Sequence, residues 1–139
     1  MTAYDFSRLS VLTLFEQSAS EPLLAWLRRK QFAILELDRA GIVDHATLAS
    51  ALGAQILGRP LEPGWDRLAD LLGEHLWGLE NDNVALVWSY AHRMLDGGLA
   101  DLIQAADVFV GLSRQMYSDA VFVTYLLGAG PNFPSPPSK

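Results

Sequence analysis

The spacing of apolar residues divides most of the chain into alternating strand and helix segments. Short runs rich in β-branched and aromatic residues predict three buried strands: Phe32–Asp38, Asn83–Tyr90 and Asp119–Gly128. Apolar residues at helical spacing predict helices from Asp44 to about Leu57, from about Trp65 to Trp77 and from about Leu99 to Gln115. The connections between the predicted strands are long enough to return the chain to the same end of the sheet, so that the strands run in the same direction. We therefore expect an α/β fold, a small three-stranded parallel sheet packed with helices.

The two ends of the chain depart from this alternation. The first thirty residues predict two short helices, the first with an apolar stripe formed by Phe6, Leu9, Leu12 and Phe15. Pro22 suits the first turn of the second helix. We expect residues 1–30 to form a helical extension packed on a domain of residues 31–128. The proline-rich residues 129–139 are expected to be a disordered tail.

Composition narrows the range of partners and compartments. The chain has 139 residues, half of them hydrophobic, which suits one domain with one core. A formal net charge of −6 argues against direct binding of nucleic acid and favours a basic protein partner. There is no cysteine, and neither a signal-peptide pattern nor an apolar run long enough for a membrane span is present. We expect a cytoplasmic protein that does not bind membranes.

The predicted helix that begins at Trp65 carries an acidic stripe. At about 100° per residue, with Asp66 at zero, Asp70 lies about 40° round the helix, Glu74 about 80° and Trp77 about 20°. The leucines lie on the opposite side. The helix dipole favours Asp66 in the first turn, but like charges four residues apart repel and nothing local favours Asp70. The stripe is either an ordinary solvated face or a docking surface for a cationic site, where an aromatic ring beside charges is typical of an interface.

Catalytic and metal-binding patterns are not evident in this sequence. Carboxylates on one rigid helix do not surround a hard cation. The three histidines, His45, His75 and His92, do not have the spacing of metal ligands. Neither a nucleophile elbow nor a phosphate-binding glycine loop is found. We therefore expect a protein that is not an enzyme and needs no metal or cofactor.

The segment "GWDRLADLL", Gly64–Leu72, resembles the helix signature of the barstar family of ribonuclease inhibitors. The residues that match it in register are Trp65, Asp66, Leu68, Asp70 and Leu72. The segments "FAILELDRAGIVDHATLASALG" and "NVALVW" are similar to the family's first strand and helix and to its second strand. The resemblance covers roughly Phe32 to Gly128. It implies a barstar-like three-stranded parallel sheet and an acidic helix that covers a basic nuclease active site.

The resemblance also implies a partner and a binding surface. The partner would be a basic ribonuclease or related nuclease toxin, bound as a 1:1 heterodimer by an otherwise monomeric immunity protein. Asp70 matches the family's central acidic contact and Asp66 the contact one turn earlier. The full set of expected partner-binding residues is Asp66, Asp70, Glu74, Trp77, Gly64, Arg67 and Ala69.

The chain departs from the family in the same region. Gly64 stands where the family typically has asparagine, and Ala69 stands where barstar has an aromatic contact. The loop "RPLEPG" contains no tyrosine, although barstar has a pair in the corresponding loop. These departures leave an alternative, a regulatory or scaffold module that kept the fold and binds another protein without inhibiting a nuclease.

Overall fold

A computed structural model describes residues 11–37, 41–97, 99–117 and 122–129. These residues form four strands and four α-helices in the order β1 (Leu12–Glu16), α1 (Ser20–Arg29), β2 (Ala33–Leu37), α2 (His45–Leu52), α3 (Trp65–Gly78), β3 (Asn83–Trp88), α4 (Leu99–Tyr117) and β4 (Phe122–Ala129). Short 3₁₀ turns occupy Gln17–Ala19 and Ala91–Gly97, and a π-helical turn, Gly53–Leu57, follows α2. The protein is therefore an α/β protein.

All strand pairs in the sheet are parallel, and the spatial order is β1-β4-β3-β2. One row of partners crosses the whole sheet and consists of Leu12, Tyr125, Leu86 and Leu35. The central strand β3 is buried from Val84 to Trp88, as expected where helices cover both faces of a parallel sheet. The sequence predicted two helices between its first two predicted strands, which correspond to β2 and β3. This prediction is confirmed, because α2 and α3 lie between β2 and β3.

The prediction of three strands is wrong, because Leu12–Glu16 forms a fourth. A helix was expected over this segment, and the structure instead places it beside β4 at the edge of the sheet. Leu12 and Leu14 pack against one core and Phe15 against the other, which is the alternation of a strand. Five residues are too few to distinguish the apolar spacing of a helix from that of a strand. Pairing with β4, which follows more than a hundred residues later in the chain, favours the strand.

The first and last described segments of the chain belong to the sheet. The second predicted N-terminal helix is confirmed as α1. Ala129, assigned to the tail, is the last residue of β4. Residues 1–10 of the predicted extension and residues 130–139 of the predicted tail lie outside the described residues.

The helices cover the sheet on its two faces. On one face, α1 buries Leu23 and Leu27 against Ala85, Val87 and other residues of a small core. On the other face, α2, α3 and α4 surround a larger core. Three aromatic rings meet at the centre of the larger core: Trp88, Phe109 and Tyr125. Burial raises the pKa of the Tyr125 phenol above its ordinary value.

The turn after α2 brings two backbone segments very close at Gly53. A Cβ on Gly53 would lie 2.5 Å from the carbonyl oxygen of Arg59 and 2.9 Å from the amide nitrogen of Leu61. Both are backbone atoms that cannot rotate away. Gly111 offers a comparison, because it is exposed within α4 and a Cβ there would meet nothing within 4 Å.

We predict that Gly53→Ala lowers the free energy of unfolding by about 1–3 kcal/mol, because an added methyl group forces the backbone apart. Gly111→Ala should raise it by about 0.5–1 kcal/mol, because alanine loses less entropy in a helix. Chemical denaturation of both variants measures the difference. Equal effects of the two substitutions would contradict the close approach at Gly53.

Candidate functional site

The two faces of α3 separate as the sequence predicted. Its buried residues are Leu68, Leu72 and Leu76. Its three stripe carboxylates, those of Asp66, Asp70 and Glu74, are all exposed. Trp77 has 58% of its surface exposed on the same side. The helix is thus held by its leucines and presents its charges to solvent.

A groove runs between this acidic face and α4, with a volume of about 270 Å³. The α3 side of the groove consists of Ala69, Asp70, Gly73, Glu74 and Trp77, and the α4 side of Leu112, Gln115 and Met116. A Cβ on Gly73 would lie 3.3 Å from Leu112 Cδ2, so this glycine lets the two helices pack closely. We call this feature the α3–α4 groove.

The structure brings four of the seven predicted site residues together in the α3–α4 groove: Ala69, Asp70, Glu74 and Trp77. Asp66 and Arg67 are exposed in the first turn of α3, and neither lines the groove. Sequence analysis missed the contribution of α4. The only signal for it was that Leu112 and Met116 fall on the apolar stripe of that helix.

The charges of the acidic face are not neutralised within the described part of the chain. Among residues 11–37, 41–97, 99–117 and 122–129, none of the three stripe carboxylates makes a hydrogen bond or an ion pair. Within the described ranges, no basic side chain relieves their mutual repulsion. A cationic group docked on this face would relieve it further.

Gly64 is required by the backbone at the start of α3. Its φ of +152° lies in a region that residues with a side chain rarely adopt. Its N–H donates a 2.7 Å hydrogen bond to Nε2 of His45, and the His45 ring stacks on Trp65 with 3.9 Å between ring centroids. The glycine at position 64 thus has a structural cause. Sequence analysis had examined His45 only as a metal ligand.

The N-terminus of α2 is also fixed at this corner. The predicted start of this helix at Asp44 is confirmed, because Asp44 is its N-cap and the Asp44 carboxylate accepts a 2.9 Å hydrogen bond from the Thr47 N–H. Hydrogen bonds from the Thr47 backbone and side chain hold the pKa of Asp44 below its ordinary value. From α4, Asp101 Oδ2 accepts a 2.9 Å bond from the His45 backbone N–H. Contacts of His45 therefore join α2 to both α3 and α4.

Two other kinds of site were sought in the described ranges. No group of three or more histidine, cysteine, aspartate or glutamate side chains there is arranged to hold a metal ion. None of the helices there combines the length and the apolar character that crossing a bilayer demands. Comparisons with protein-family models, curated proteins and solved structures gave no match to the chain.

Proposed function

We propose that this protein is a barstar-like inhibitor, an immunity protein that binds and blocks the basic active site of a ribonuclease or related nuclease toxin. One observation carries the proposal: Asp66, Asp70 and Glu74 project to solvent from one face of α3, without neutralising partners in the described part of the chain. In this proposal the protein acts in the cytoplasm without a cofactor, as a monomer that forms a 1:1 complex.

The position of α3 suits such a surface. Buried leucines hold the helix on the core, so the backbone that carries the carboxylates is in place before a partner arrives and only the side chains have to be ordered on binding. A net charge of −6 attracts a basic protein over a distance of about the 8–10 Å Debye length and accelerates its encounter. The half-exposed Trp77 supplies apolar area beside Asp70 and Glu74 in the α3–α4 groove.

The arrangement of strands also supports the proposal. The resemblance implies a parallel sheet packed with helices, and the three strands that the sequence predicted, β2, β3 and β4, are adjacent and parallel. The additional strand β1 joins at the edge beside β4. It therefore does not separate β2, β3 and β4 from one another.

A second candidate function rests on a different surface. Leu99 and Ile103 lie one turn apart near the start of α4 and are 54% and 53% exposed. Exposed apolar residues on successive turns suit a protein–protein contact, which favours a regulatory or scaffold module. By contrast, α1 buries Leu23 and Leu27, so the apolar face of that helix is already occupied.

The deciding experiment uses the full chain as bait. We expect the immobilised protein to capture a basic protein from source cells or their culture medium, and the eluted partner to cleave RNA or DNA. Adding the free chain should stop cleavage at one equivalent. Capture of a partner without nuclease activity, through a contact that Leu99→Ser and Ile103→Ser abolish, would overturn the inhibitor function and support the scaffold function.

A further inference from the structure

The hydrogen bond between α2 and α3 exists for only one protonation state of His45. The Gly64 N–H donates to His45 Nε2 over 2.7 Å, so this nitrogen must present a lone pair. A neutral imidazole that accepts at Nε2 carries its hydrogen on Nδ1. Nδ1 is buried and has no hydrogen-bond partner among the described residues. Protonation at Nε2 removes the acceptor. The Nε2–H group of His45 would then face the Gly64 N–H group, and two donors cannot form a hydrogen bond.

We infer that His45 is a positioning residue for the binding face of α3, and that its protonation releases the first turn of that helix. Gly64 is the N-cap of α3, and no side chain caps the helix there. The imidazole instead holds the cap residue through the Gly64 amide and holds Trp65 by ring stacking. The expected effect on a partner rests on the proposed function, whereas the effect on Gly64 does not.

The groups that face His45 come from three helices. On α2, Asp44 lies beside it, and on α4, Asp101 accepts its backbone N–H. From α3 it meets the ring of Trp65 and the Gly64 amide. The N-termini of α2 and α3 meet at this corner. Histidine is the side chain that ordinarily titrates between pH 5 and 8.

The consequence is a pH-dependent acidic face. With the neutral ring, the first turn of α3 is held and Asp66 keeps its position one turn before Asp70. As the pH falls and the ring is protonated, the Gly64 hydrogen bond is lost and that turn frays. Partner affinity should therefore fall on acidification.

The first test needs no partner. We expect the NMR signal of the Gly64 amide in the wild-type protein to shift as the pH is lowered from 8 to 5, and its hydrogen-exchange protection to fall at least tenfold. In His45→Gln, whose side-chain oxygen accepts but does not titrate, the signal should stay constant. The Phe32 amide, bonded to the Leu27 carbonyl at 3.0 Å, controls for global unfolding and should not change. A constant Gly64 signal in the wild-type protein would overturn the inference.

The second test measures the affinity of the protein for the captured nuclease partner at pH 8 and at pH 5.5. Between pH 8 and pH 5.5, wild-type affinity should fall at least threefold more than the affinity of His45→Gln. Because both proteins bind the same partner, this comparison cancels the effect of changes in the partner's own charge. A titrating Gly64 amide with equal pH dependence in both proteins would show that His45 positions the helix but that the partner does not bind the first turn of α3. The two failures are therefore distinguishable.

Discussion

Replacement of Asp70 by alanine is expected to weaken binding of the captured partner by about 2–5 kcal/mol, roughly 30-fold to several thousand-fold. Asp70 lies between Asp66 and Glu74 on the exposed face and lines the α3–α4 groove beside Trp77. A partner's basic groups lose their water on docking here. Without the carboxylate they would remain desolvated and unpaired, which accounts for the size of the loss.

The matched control is Asp107→Ala, which removes the same charge from an exposed position on α4 outside the groove. Its affinity should stay within about threefold of wild type. Both variants should keep the wild-type melting temperature, and Asp70→Ala gains a few tenths of a kcal/mol from relief of repulsion along α3. Equal affinities of the two variants would contradict the central role of Asp70.

The salt dependence of the association rate distinguishes electrostatic steering by the acidic face of α3 from association through apolar contact alone. If the carboxylates of α3 steer a basic partner, its association rate should fall steeply as the salt concentration rises. In Asp70→Ala this slope should be shallower than in wild type. Stopped-flow mixing at several salt concentrations gives both slopes.

Replacement of Phe109 by alanine is expected to lower the free energy of unfolding by about 3–5 kcal/mol. Phe109 is fully buried on α4, its ring stacked on Tyr125 at 4.4 Å and set edge-on to Trp88 at 6.1 Å. Alanine would remove its contacts with both rings and leave a cavity between the helix and the sheet. A small domain has only about 5–15 kcal/mol of stability, so the loss is a large share of the total.

The control for this prediction is Ile103→Ala on the same helix. Ile103 is 53% exposed, so its truncation removes little buried area and should change the free energy of unfolding by less than about 0.5 kcal/mol. Urea unfolding of both variants gives the comparison. Similar losses at the two positions would contradict the core position of Phe109.

Local patterns were sufficient to predict several features of this protein. Leucines and carboxylates on opposite sides of one helix determined which face of α3 is buried, because exposing the leucines would forgo their burial energy. Asp44 specified the start of α2, since a capping aspartate acts within one turn of the helix. Three apolar runs identified β2, β3 and β4 within a few residues. Each of these signals acts over a few neighbouring residues.

Contacts between distant segments decided the rest. The strand β1 was assigned to a helix because five residues fit both periods, and only pairing with β4 favours the extended form. The α3–α4 groove needs the close approach of Leu112 to Gly73, and the His45–Gly64 bond joins residues 19 positions apart. Hydrogen bonds and packing of this kind depend on where whole elements come to lie. By itself the sequence therefore determined the acidic face, whereas only the tertiary structure decided which groove that face lines and which residue contacts the start of its helix.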